Sequence, residues 1–125
     1  MKRTSLLTAA AALATTLAVA VPSMAASTAA TPLAGAVGPG FTITLTRNGR
    51  KVRSLKAGTY RIVVRDRSSA HNFVLEKEHH SGIERELTHV GTTGTRTVTM
   101  KLTRGTWKYY CEPHRTVMRG TFTVR

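Results

Sequence analysis

The sequence predicts an all-β domain, a sandwich or barrel of short strands. Three observations carry this: stretches rich in threonine and valine that alternate at period two, turn residues between them, and no helical periodicity of useful length. Phe41-Thr42-Ile43-Thr44-Leu45-Thr46 alternates apolar side chains with threonine, as a half-buried strand does. Asn48-Gly49 follows, a dipeptide whose residues tolerate the left-handed backbone that a two-residue hairpin requires. Ala57-Gly58 leads into a second strand, Thr59 to Arg65, and His71 to Leu75 gives a third. Glu76 to Gly94 is polar, contains Gly82, Gly91 and Gly94, and is expected to be a long irregular excursion. Thr95 to Leu102 alternates again, Gly105 turns the chain into Thr106 to Cys111, and Gly120 to Val124 closes the domain.

Ahead of these strands the composition changes. Met1 to Ser5 is a short positive head, Leu6 to Val21 is apolar and rich in Ala and Leu, and Ser23-Met24-Ala25 supplies the small residues of a cleavage site. Residues 1–25 therefore form an expected secretory signal peptide, removed near Ala25, which makes the protein exported: periplasmic, extracytoplasmic or secreted. Residues 26–40 are Ala, Thr, Gly and Pro without charge, the composition of a flexible linker. That leaves 41–125 as the folded domain, long enough for one modest core.

The charge is lopsided. Nineteen Lys and Arg face six Asp and Glu, a formal +13. Part of it is the solvated face of a sheet, as in Arg61-Ile62-Val63-Val64-Arg65. The remainder implies attraction to an acidic redox partner or to an anionic membrane or wall surface. No nucleic-acid-binding signature accompanies it, and no small-molecule substrate or oligomer is expected; a monomer fits the small domain.

The chain has one cysteine, Cys111, so no disulfide forms within it. An odd thiol in an exported protein needs a specific role, because it is otherwise open to oxidation. Cys111, His114 and Met118 lie within eight residues, and His71 stands upstream in Ala70-His71-Asn72-Phe73. One thiolate, two imidazoles and a thioether suit copper, and they form the ligand set of a blue-copper electron-transfer site. Zinc also accepts Cys and His, but the thioether weighs against it. The strand pattern places these groups. Trp107, Tyr109 and Cys111 share one strand face. Two aromatics mark it as the core side, so the thiol is delivered inward. Pro113 then stops the pairing and turns His114 and Met118 back toward the sulfur. His79, His80 and His89 sit among Glu76, Glu78, Glu84 and Glu86 and are expected to be a solvated loop. Met100, in mid-strand, is expected to fill core space.

The order of these motifs, a His-Asn-Phe and then Cys-x-x-His with a nearby Met before a closing strand, resembles the cupredoxins. The plastocyanin, pseudoazurin and amicyanin branch is nearest. Lys56-Ala57-Gly58-Thr59-Tyr60 and Gly105-Thr106-Trp107-Lys108-Tyr109-Tyr110-Cys111 share in the resemblance, which spans Phe41 to Arg125. It implies a Greek-key β-sandwich or barrel of the cupredoxin type holding one type 1 copper. It also implies equatorial ligands His71, Cys111 and His114, an axial Met118, and His114 as the route for electrons. Asn72 matches the residue that in this family ties the two ligand loops together. The three residues between His114 and Met118 make a loop intermediate in length between those of plastocyanins and amicyanins. No glutamine is present to replace the methionine.

The expected function is one-electron transport by an exported blue copper protein. The alternative is a copper chaperone or store without a redox cycle, and a metal-free adhesive sandwich is the remaining possibility. No nucleophile elbow, phosphate loop or paired-carboxylate motif is present, so no enzymatic activity is expected.

Overall fold

The computed structural model describes Ala20 and residues 29–125. The expected signal peptide, residues 1–25, lies outside the described residues apart from Ala20. Ten strands follow in order: β1 (Thr31–Val37), β2 (Ile43–Arg47), β3 (Arg50–Lys51), β4 (Ser54–Leu55) and β5 (Gly58–Asp66) come first. They are followed by β6 (Phe73–Lys77), β7 (Glu84–Thr88), β8 (Gly94–Leu102), β9 (Gly105–Tyr110) and β10 (Arg119–Val124). Among the described residues the one helical element is a 3₁₀ turn at Glu112–His114. The fold is all-β, as the sequence predicts.

Two five-stranded sheets pack face to face, ordered β3-β2-β1-β5-β8 and β4-β10-β9-β6-β7. Both are mixed: β1 runs parallel to β5, β4 runs parallel to β10, and the other pairs are antiparallel. The Asn48-Gly49 hairpin joins β2 to β3 with both turn residues at positive φ, 51° and 74°. Alternate residues meet between the sheets. Leu33, Leu45, Ile62 and Val64 come from one sheet; Phe73, Leu75, Trp107, Tyr109, Phe122 and Val124 come from the other. Phe73 and Tyr109 stack nearly parallel, 5.8 Å between ring centroids. Met100 packs against this core from its edge.

The structure corrects three expectations. Residues 26–40 are not a linker throughout, because Thr31–Val37 form β1, the middle strand of its sheet. Leu33 and Val37 are buried on one face, and the parallel ladder to β5 satisfies the backbone. The small residues that looked like linker composition serve close packing. A Cβ on Gly35 would lie 3.0 Å from the Val64 side chain and 3.1 Å from the Phe73 ring. The folded unit therefore begins by Thr31, ahead of Phe41.

Secondly, the stretch from Glu76 to Gly94 is not wholly irregular. β7 lies within it as an edge strand on β6. An edge strand with one open side need not alternate, and charged residues suit it, so Glu84-Arg85-Glu86 gave no strand signal. Thirdly, β2 starts at Ile43, leaving Phe41 outside the ladder and exposed.

Candidate metal centre

Three of the four expected ligands converge at one end of the sandwich. The Nδ1 atoms of His71 and His114 are 3.0 Å apart, and the Cys111 Sγ lies 3.6 Å from each. A triangle with these sides has its centre about 2.0 Å from every corner, close to the bond lengths that imidazole nitrogen and thiolate sulfur make to a metal of this size. Both imidazoles thus turn the same nitrogen toward a common point beside the thiol. The three residues fit a copper ion, whose chemistry suits one soft sulfur with two imidazole nitrogens.

Backbone bonds shape the ligand loop. Trp107, Tyr109 and Cys111 are buried on the core face of β9, so the thiol arrives inward as the alternation requires. Pro113 then falls in the 3₁₀ turn. The loop closes on itself: His114 N–H donates to the Cys111 carbonyl at 3.1 Å, Met118 N–H to the His114 carbonyl at 2.9 Å, and Cys111 N–H to the Met118 carbonyl at 3.0 Å. Met118 is fully buried and belongs to the core cluster that contains Cys111. His71 precedes β6 in a turn whose N–H donates to the Ser68 carbonyl.

Asn72 joins the two halves. Its side chain is fully buried, and its Oδ1 accepts from the Glu112 N–H at 2.7 Å. The residue after His71 therefore holds the residue after Cys111. Its Nδ2 donates to Glu86 Oε1 at 3.0 Å.

Two residues at this end escaped the sequence reading. Phe41 lies edge-on to His114, ring centroids 4.9 Å apart, and 5.8 Å from His71. It is nevertheless 64% exposed. The turn that presents it is closed by Gly38 N–H donating to the Thr42 carbonyl and Thr42 Oγ1 donating to the Pro39 carbonyl. As the first residue of an alternating stretch, Phe41 was expected in a strand rather than beside the ligands. Glu86 is the second, hidden because β7 was. The Asn72 bond is the main cause that holds its carboxyl below the usual carboxylate range.

Tyr110, just before the thiol, is buried on the opposite face of β9. Its hydroxyl donates to Glu84 Oε2 at 3.0 Å, and Lys108 and Arg115 lie over its ring. Burial, reinforced by Glu84, pushes its phenol far above the ordinary range. His79, His80 and His89 do not join the ligand cluster; among the described residues, the one group of His, Cys, Asp and Glu with metal-holding geometry is His71, Cys111 and His114.

With this fold and site in view, the sequence pattern of the copper-binding proteins of the plastocyanin/azurin family matches residues 44–125. The chain belongs to that family, and His71, Cys111 and His114 form its one type 1 copper site. Among solved structures, the fold is similar to rusticyanin from Thiobacillus ferrooxidans, with 22% identity, 75% of this chain and 76% of that one covered, and a TM-score of 0.53. It is also similar to auracyanin from the photosynthetic bacterium Roseiflexus castenholzii, with 17% identity, 77% and 98% covered, and a TM-score of 0.57. No curated protein matches the chain significantly in sequence.

Proposed function

We propose that this protein is an exported blue copper protein that carries single electrons between redox partners, with Met118 as the weak axial ligand and no enzymatic activity of its own. The observation that carries the proposal is the preformed donor triangle, held by buried residues and short backbone bonds on both flanks. Copper bound there supplies a one-electron couple. A frame that needs no rearrangement between the two oxidation states keeps the cost of transfer low. Burial of Met118 beside Cys111 supports its place as fourth ligand. The lone thiol supports export with metal bound, since the metal protects it.

His114 is the half-buried ligand, whereas His71 and Cys111 are buried. Exposed Phe41 and Val117 stand near it in space and in sequence, which suits an electron exit that meets a partner without intervening water. Lys51, Arg53, Lys108, Arg115 and Arg119 line an open groove of about 790 Å³ that reaches the ligand loop, with Glu78 as its one acid. An acidic redox partner would be steered toward it, with association that slows as salt rises; an anionic membrane or wall surface is the other source of attraction.

The test is the visible absorption of the 26–125 protein titrated with Cu(II). We expect an intense thiolate-to-copper charge-transfer band, absent in Cys111→Ala and reversibly bleached by reductant with copper retained. Loss of copper on reduction would favour a chaperone or store. A colourless protein that prefers Zn(II) would overturn the proposal.

A further inference from the structure

The bond between Asn72 and the ligand loop is only as good as the orientation of the Asn72 amide. One end of that amide accepts and the other donates. Rotated by half a turn, its NH2 would face the Glu112 N–H, donor against donor, and the loop would lose its tie. Burial removes any water that could correct the error, because Asn72 is fully buried.

Glu86 settles the orientation. A carboxylate only accepts, so its Oε1, 3.0 Å away, can face only the NH2 end. The strand that carries Glu86 is shaped for this. Val74 pairs with Glu86 and Phe73 with Thr88, so β7 holds one extra residue, Leu87, at a bulge. Bulges re-aim side chains, and this one serves three at once. Leu87 enters the core, Thr88 Oγ1 accepts from the Phe73 N–H at 3.0 Å, and Glu86 reaches Asn72. The far oxygen of Glu86 pairs with His89 Nδ1 at 3.1 Å, which fixes the carboxylate from its solvent side. A continuous line of contacts thus runs from the surface at His89 through Glu86 and Asn72 to the backbone beside Cys111.

We propose that Glu86 is the positioning residue of the copper site: it orients the Asn72 amide, which in turn holds the Cys111 loop against the His71 turn. Its role lies in the protein itself and exists before metal binds. Only its effect on the copper couple rests on the function proposed above.

Amide hydrogen exchange in the copper-free protein tests it directly. In Glu86→Ala the Glu112 amide should exchange at least tenfold faster, the equivalent of roughly 1.4 kcal/mol, while amides at the β5–β8 pairing stay protected. Glu86→Gln keeps an accepting oxygen and should restore Glu112 protection. With copper bound, Glu86→Ala should also shift the ratio of Cu(II) to Cu(I) affinity, and Glu86→Gln should not. Unchanged Glu112 protection in Glu86→Ala would overturn the proposal. So would an equal rise at β5–β8, which marks general destabilisation, or a Glu86→Gln variant that behaves like Glu86→Ala. If the protein binds no copper, the function fails while the exchange result still decides the role of Glu86.

Discussion

Two stretches meet at the copper end of the sandwich and contrast sharply as sequence. Residues 110–120 hold a thiol, an imidazole and a thioether at close spacing; residues 31–41 are Thr, Pro, Leu, Ala, Gly, Val and Phe without a charge. The first supplies donors to the metal. The second supplies the middle strand of a sheet and the ring that lies against both histidines. Reactive groups reveal themselves residue by residue, because few side chains share their chemistry. A scaffold strand is defined by what pairs with it, and each β5 partner of β1 lies 29 residues further along the chain.

The sharpest way to break this comparison is truncation. A protein starting at Phe41 lacks Leu33 and Val37, whose burial is worth roughly 1.5–3 kcal/mol each, and loses the ladders to β2 and β5. That is most of the net stability of a small domain. We expect residues 41–125 alone to be unfolded by circular dichroism and residues 29–125 to fold. A folded 41–125 protein would return the segment to linker status.

Gly35→Val asks the same question with one side chain. Its Cβ would press on Val64 and Phe73, and overpacking of this kind costs about 1–3 kcal/mol. A lowered urea midpoint with unchanged slope is the expected result.

Phe41→Ala sharpens the comparison on the side of function. An exposed ring adds little burial of its own to folding, so thermal stability should fall by no more than its edge-on contact is worth. Its contact with His114 should matter more: an edge-on aromatic pair is worth about 0.5–1.5 kcal/mol. Copper transfer to a chelator should therefore quicken by up to about tenfold. An unchanged rate would make Phe41 a bystander.

The smallest effect concerns Tyr110. Its folded phenol ionises far above the ordinary value of 10.0, so the stability it lends is fully present below about pH 10 and is lost as pH rises further. Tyr110→Phe removes the bond to Glu84, costing about 1 kcal/mol near neutrality. The gap to the parent protein should close above about pH 10. A constant gap would show that ionisation of Tyr110 is not linked to unfolding.

β2, β5, β6, β8, β9, β10 and the ligand loop were legible because turn residues bound them and most of them alternate or carry distinctive donors. Trp107, Tyr109 and Cys111 fall on the core face that simple alternation assigns them. The three donor residues meet as their order suggested. β1 was hidden because Ala and Gly are small enough for a tight sheet interface and equally common in linkers. β7 was hidden because an edge strand with Glu84, Arg85 and Glu86 shows no apolar period. The role of Glu86 depends on a bulge, and bulges leave no mark in a pattern of apolar residues. Phe41 was read into the wrong element, since a ring two residues ahead of a strand extends its alternation by accident.

The ligand loop lies between the last two strands, and this has a consequence for the order of events in a newborn chain. Synthesis proceeds from the N-terminus, so β1 to β8 and His71 exist before any part of the loop does. Until residue 111 has been made, the only donor present from the centre is one imidazole, too weak a grip to retain a metal. The tie from Asn72 and the closing bond from Cys111 to Met118 form later still. Metal uptake is thereby reserved for the completed protein: an interrupted chain offers copper almost nothing to hold.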